Sequence, residues 1–187
     1  MRTVERSEIL DWVTYDEQRA ELRAEAMRAK DARRVHVGRH LTFLFENHET
    51  MRYQVQEMTR AERMVKEADI LREIETYNEL LGQGGELGCT LLIELDDAAQ
   101  RAVKLEQWLS LPQRLYAKLE DGTMVRPTCD ERQVGDTRLS SVQYLKFPVG
   151  GRVPVAIGCD HADPEASGET TLSEAQRAAL ARDLAGD

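Results

Sequence analysis

Residues 41–95 constrain the fold more than any other part of the chain. They read LTFLFENHETMRYQVQEMTRAERMVKEADILREIETYNELLGQGGELGCTLLIEL. Leu41, Phe43 and Phe45 alternate with Thr42, Leu44 and Glu46. That is period two with both faces partly apolar, the pattern of a central strand. Asn47-His48-Glu49-Thr50 supplies turn chemistry, and Tyr53 and Val55 read as the return strand of a hairpin. The period then changes. Thr59 and Glu62 form a capping-box pattern, followed by a stripe of Ala61, Met64, Val65, Ala68, Leu71 and Leu80, widened by Ile70, Ile74, Tyr77 and Leu81. A helix over 59–81 would be roughly 33 Å long, enough to cross a whole sheet face. Gly82, Gly84 and Gly85 stop it, because glycine tolerates the left-handed conformation of a helix C-terminus. Residues 86–95, with Leu87, Cys89, Leu91, Leu92, Ile93 and Leu95, read as a strand buried on both faces.

The flanks add a helix on each side. Thr14 with Glu17 caps a helix over 15–33, whose thin stripe of Leu22, Ala26, Met27 and Ala29 buries little surface. Such a helix suits the outside of a domain or a second subunit. RVHVG at 34–38 begins the sheet. Asp96 or Asp97 caps a helix anchored by Val103, Leu105 and Trp108. The remainder reads as antiparallel strands: 115–119 returning through the hairpin signal Asp121-Gly122, then 141–147 and 152–158. Pro154 marks the last as an edge strand. A polar loop is expected at 132–137. Ser173 and Gln176 cap a final helix. The expected fold is α+β: a mostly antiparallel sheet of six to eight strands, one long helix packed across it, and a short C-terminal helix. Residues 1–33 would form an N-terminal helical arm and 34–187 a single α+β domain.

Charge narrows the function. Lys plus Arg is 25 against 34 Asp plus Glu, a net charge of −9. An acidic chain argues against broad binding to nucleic acid. The local exception is Arg28, Lys30, Arg33, Arg34 and Arg39, a basic cluster that could meet an acidic partner or form a solvated face. No apolar run approaches the roughly 20 residues that span a bilayer, and MRTVERSEIL has no signal-peptide core, so a cytoplasmic protein without a membrane role is expected. Cys89, Cys129 and Cys159 lack CxxC spacing, which fits reduced thiols.

Four groups carry candidate chemistry. His36 and His40 have H-x3-H spacing, which can chelate iron or zinc, although Gly38 between them predicts a bend. Cys159-Asp160-His161 places a thiol, a carboxylate and an imidazole after a strand, without an orienting third group for nucleophilic catalysis. Glu57, Glu62, Glu67, Glu73, Glu75 and Glu79 line a helix without the ExxH of di-iron bundles. Glu46, Asn47, Thr50, Tyr53, Gln54, Gln56, Glu57 and Arg60 form a polar row that could line a ligand pocket or tie the hairpin to the helix. No P-loop, GxGxxG, GxSxG, HExxH or zinc-finger spacing is present.

The segments RRVHVGRHLTFLFENHETMRYQVQEMTRAER, EIETYNELL, GELGCTLLIEL and SSVQYLKF together resemble a bacterial family of conserved uncharacterised proteins, a domain of unknown function. The resemblance spans residues 14–184. It implies no activity and no catalytic residue. It implies, through genes that often neighbour the family's own, a role beside rubrerythrin-type and iron–sulfur oxidoreductases. Three readings therefore stand. The first is a non-catalytic accessory or binding protein, homo-oligomeric through its N-terminal helix, working with an iron or redox system and such partners. The second is a metal-binding protein or metal-dependent enzyme using His36, His40, Cys159 or His161. The third is a small-molecule binding module at the hairpin–helix junction, using Glu46, Tyr53, Gln54, Gln56, Glu57 and Arg60.

Overall fold

The strand expected at Leu41, Phe43 and Phe45 forms, and it is central. In the computed structural model, which describes residues 1–129, 135 and 137–186, it pairs on both sides. Helix α1 (Trp12–Asp31) leads into strands β1 (Arg34–Val37) and β2 (Leu41–Phe45), then helices α2 (His48–Ala61) and α3 (Glu67–Asn78) and strand β3 (Leu87–Ile93). Helix α4 (Ala98–Gln107) and the single turn α5 (Leu111–Arg114) precede strands β4 (Leu115–Lys118), β5 (Met124–Val125), β6 (Thr128–Cys129), β7 (Val142–Phe147), β8 (Ala156–Cys159) and β9 (Gly168–Thr171). Helix α6 (Glu174–Ala185) closes the chain, started by the expected reciprocal cap of Ser173 and Gln176. The polar loop expected at 132–137 falls, apart from Gly135 and Thr137, outside the described residues.

The α+β class with antiparallel pairing is the expected one. Among the described residues the strands number nine rather than six to eight, and they form two sheets, β1-β2-β3-β7-β6 and β5-β4-β8-β9. Both share one apolar core. Phe43 and Phe45 pack on Phe147 with ring centroids 6.5 and 6.0 Å apart, and Leu115, Ala117 and Ile157 meet them from the second sheet. Trp108 of the α4–α5 link and Leu180 of α6 complete this core. Asp121-Gly122 turns β4 into β5 as expected, with Gly122 at φ 83°. Strand β8 lies between β4 and β9 and is not an edge. Pro154 is tolerated because it precedes the strand and removes no ladder hydrogen bond.

Two expectations around residues 47–81 are corrected. Tyr53 and Val55 are helical. Asn47 and Thr50 cap each other reciprocally at the start of α2, and buried Met51, Val55 and Thr59 recur every four residues, a helical period. Strand β2 needs no return strand here, because β1 and β3 already flank it. The helix over 59–81 is two helices. Met64 N–H bonds to Thr59 O at 2.9 Å and Arg63 N–H to Arg60 O at 3.1 Å, the double closure of a Schellman motif. Arg63 occupies its left-handed position at φ 49°, where glycine is usual, so the sequence carries no visible stop.

A second, smaller core joins α2 and α3 to the N-terminus through Val4, Ile9, Met51, Val55, Ile70, Ile74 and Leu81. Two side-chain amides clamp the first ten residues to this layer. Asn78 accepts from Val4 N–H at 2.8 Å and donates to Val4 O at 3.0 Å, and Gln56 brackets Leu10 in the same way at 2.9 Å each. Helix α1 runs antiparallel along α2, with Lys30 over the Tyr53 ring and Arg63 over the Trp12 ring. No helix of the described residues is long and apolar enough to cross a membrane.

The Schellman position sets a test. Arg63→Gly removes a strain of about 1 kcal/mol but also a cation–π contact to Trp12 of about 0.5–1 kcal/mol. Urea unfolding is expected to show a gain of about 1 kcal/mol in a Trp12→Ala background and little change in the parent chain. No gain in the Trp12→Ala background would refute the assignment of strain to Arg63.

Candidate functional site

The site begins with a buried ion pair. Arg33, between α1 and β1, is 6% exposed, and Asp183 of α6 is 2% exposed. Arg33 Nε and Nη2 each donate to Asp183 at 2.7 Å, and Nη1 donates to Ala29 O at 2.9 Å. The Asn47 amide adds a longer contact to Asp183 at 3.5 Å. This fork-to-fork geometry satisfies two charges that would otherwise be costly to bury. It also brings the end of α1, the start of α2 and the last turn of α6 to one point.

Above that floor lies a cleft of about 640 Å³. The last two turns of α1 contribute Glu25, Ala26, Arg28, Ala29 and Ala32, and their small alanines leave the space open. Helix α2 contributes Asn47, His48, Glu49 and Arg52, the N-terminus contributes Arg2, and Arg182 and Asp183 come from α6. Five arginines and three carboxylates thus line the cleft of a chain with net charge −9. Arg33 is spent on Asp183. Arg2 is paired with Glu8, which also takes a hydrogen bond from His48 Nε2 at 2.9 Å. Burial pushes the Glu8 carboxyl up, but the His48 hydrogen bond, the Glu5 N–H and the neighbouring positive charges outweigh it and hold the group below its ordinary value. Arg28, Arg52 and Arg182 make no ion pair among the described residues, and neither do Glu25 and Glu49 at the rim. The positive end of the α2 dipole opens onto the same space.

A side pocket of about 150 Å³ adjoins this cleft. Glu8, Leu10, Tyr15, Leu22, Arg52, Tyr53 and Gln56 line it, so Arg52 borders both spaces. Its polar walls are largely committed. Gln56 is spent on the Leu10 backbone. The Tyr15 hydroxyl donates to Glu57 Oε1 at 2.6 Å, and Arg19 grips the same carboxylate at 2.8 and 2.9 Å. Burial, followed by that hydrogen bond, pushes the Tyr15 phenol well above its ordinary value. The Arg19 hydrogen bond holds the Glu57 carboxyl low against the cost of burial.

The residues singled out in the sequence scatter. Of the polar row, Tyr53 and Gln56 face the side pocket and Glu57 braces its wall. Gln54 lies beside Tyr77 instead, and Arg60 pairs with Asp16. Glu46 is 6% exposed and accepts from Thr50 and Thr90 at 2.6 and 2.7 Å, tying β2 to α2 and β3. His36 Nδ1 lies 2.8 Å from Thr42 Oγ1, and His40 Nδ1 lies 2.9 Å from Glu94 O. Burial in β8 pushes the Cys159 thiol up to about 11, and burial likewise raises Cys89. His161 Nδ1 accepts from Asp163 N–H at 3.0 Å. Among the described residues no three His, Cys, Asp or Glu side chains group as metal ligands. Of the basic cluster, Arg28 and Arg33 reach the cleft. Arg2, His48, Arg52, Arg182 and Asp183 carried no local signal, because the turns that gather them are far apart in the chain.

A protein-family model described as "Protein of unknown function (DUF3501)" matches residues 3–184. The chain is similar in structure to a protein of unknown function from Burkholderia pseudomallei K96243, with a TM-score of 0.87 and 30% sequence identity over 97% of this chain and 99% of that one. No curated protein matches.

Two measurements probe the site's supports. Asp183→Ala leaves Arg33 buried without a counter-charge and is expected to cost about 3–5 kcal/mol in urea unfolding, whereas Arg33→Met with Asp183→Leu recovers most of that loss. Glu57→Gln is expected to cost about 1 kcal/mol at pH 7, a modest figure because the pair with Arg19 is partly exposed. A depressed carboxylate stabilises above its unfolded pKa, about 4.3. The gap between parent and Glu57→Gln should therefore be constant at neutral pH and close as the pH falls below about 4.3.

Proposed function

The chain belongs to the DUF3501 family of proteins of unknown function, and from the geometry of its cleft we propose that it is a non-catalytic binding protein for a ligand bearing a carboxylate or phosphate. One observation carries this reading: Arg28, Arg52 and Arg182, free of ion pairs among the described residues, converge on one cleft at the N-terminus of α2. Guanidinium groups held near one another repel. A bound anion relieves that repulsion and accepts the paired donors that arginine presents in a fixed fork. The ion pair between Arg33 and Asp183 holds the floor rigid, so little order is lost on binding.

The accessory role beside an iron or redox system, implied by the family resemblance, belongs to this proposal. An acidic group of a redox-linked ligand, or of a rubrerythrin-type or iron–sulfur partner, would meet the chain at these arginines. Cys89 and Cys159, buried with raised pKa values, present little thiolate, which argues against thiol chemistry at those two positions.

Calorimetric titration of inorganic phosphate and of acetate at low ionic strength tests the reading. Saturable binding is expected, weakened about tenfold, or about 1.4 kcal/mol, by Arg52→Ala and less by Arg28→Ala or Arg182→Ala, whose side chains are more exposed. Arg72→Ala, on the exposed face of α3, should change nothing. Absence of binding by the parent protein, or equal weakening by Arg72→Ala, would overturn it.

A further inference from the structure

We propose that the ligand is a small aromatic acid, with one six-membered ring in the side pocket between Tyr15, Leu22 and Tyr53 and its acid group on Arg52. This rests on the anion reading of the cleft and names the class of ligand. Three observations carry it. The first is size. The side pocket measures about 150 Å³, the scale of cavity that accepts a benzene ring. The second is wall chemistry. The Gln56 amide is turned onto the Leu10 backbone, and the Tyr15 hydroxyl donates to Glu57. The apolar surface open to a ligand comes from half-buried Leu10, Leu22 and Tyr53, and a flat apolar group gains most from such walls.

The third observation is continuity. Arg52 borders the side pocket and the arginine cleft together, so an acid group joined directly to a buried ring emerges at its guanidinium. The Glu8 carboxylate also lines the pocket, and its charge opposes an anion. Arg2 and His48 both bond to that carboxylate, which offsets its charge. The ring therefore sets position, Arg52 sets direction, and Arg28 and Arg182 remain for a second acidic group or for solvent.

The probes are benzoate, acetate and inorganic phosphate, titrated into the full chain at low ionic strength. Benzoate is expected to bind at least tenfold tighter than acetate. In saturation-transfer NMR on the parent protein, its ring protons should receive magnetisation from the protein. Leu22→Trp, which fills the pocket from a half-buried position on α1, should abolish the benzoate preference while leaving phosphate binding within twofold. If phosphate and acetate bind and benzoate is no tighter than acetate, the aromatic-acid proposal falls and the anion reading stands. If none of the three binds, both fall. Should Leu22→Trp fail to fold, the benzoate-to-acetate ratio and the ring-proton transfer on the parent protein decide alone.

Discussion

The bidentate pair of Arg33 and Asp183 is the contact on which the rest of the arrangement depends. It is almost fully buried and joins residues 150 positions apart. Replacing such a pair by hydrocarbon often costs little, so its value lies less in net stability than in geometry. A guanidinium and a carboxylate in fork-to-fork contact tolerate one relative orientation. That orientation fixes α6 against the end of α1, while Asn47 brings the first turn of α2 to the same carboxylate. The pair also consumes the most buried arginine of the cleft, so the remaining arginines face a floor that is already neutral.

Two cores of unequal size explain where the cleft lies. The larger is sealed between the two sheets by Phe43, Phe45, Phe147 and Trp108. The smaller holds α2, α3 and the N-terminal residues together. Each is apolar, but along the seam between the helical layer and the sheets the contacts are polar: Glu46 with Thr50 and Thr90, and Arg33 with Asp183. Polar seams need hydrogen-bond partners at fixed positions, and they leave space where side chains are short, as at Ala26, Ala29 and Ala32. The amide clamps on Val4 and Leu10 then carry Arg2 and Glu8 to the mouth of that space. A chain whose first ten residues were loose would keep the arginines of α1 and α2 but lose the back wall of the side pocket.

Much of the fold was legible because its signals are local. The alternation of Phe43 and Phe45, the apolar run of β3, Asp121-Gly122 and the pairing of Ser173 with Gln176 each act within a few residues. The misread segment fails for a local reason too. Tyr53 and Val55 alternate over too short a window to separate strand from helix, and the deciding cap, Asn47 with Thr50, uses the same residues as a turn would. The break after α2 was hidden because arginine, and not glycine, holds the left-handed position at Arg63. The candidate site was legible at Asn47, Tyr53, Gln56 and the basic residues Arg28 and Arg33. Its remaining members are brought together by contacts such as Gln56 with Leu10, 46 positions apart, and pairings of that range leave no periodic trace in a sequence.

The net charge of −9 bears on how such a cleft can select. At distances beyond a Debye length, about 8–10 Å near physiological salt, the chain as a whole repels an approaching anion. Attraction must therefore come from charges close to the ligand and poorly screened. Arg28 and Arg182 are exposed, and their contribution fades as ions and water compete for them. Arg52 is half-buried at the junction of the two spaces, where apolar walls lower the local dielectric and strengthen a direct contact. An anion that cannot enter the side pocket meets mainly the screened arginines. One carrying a group that fits between Tyr15 and Tyr53 reaches Arg52 at close range, so shape and charge act at the same atom.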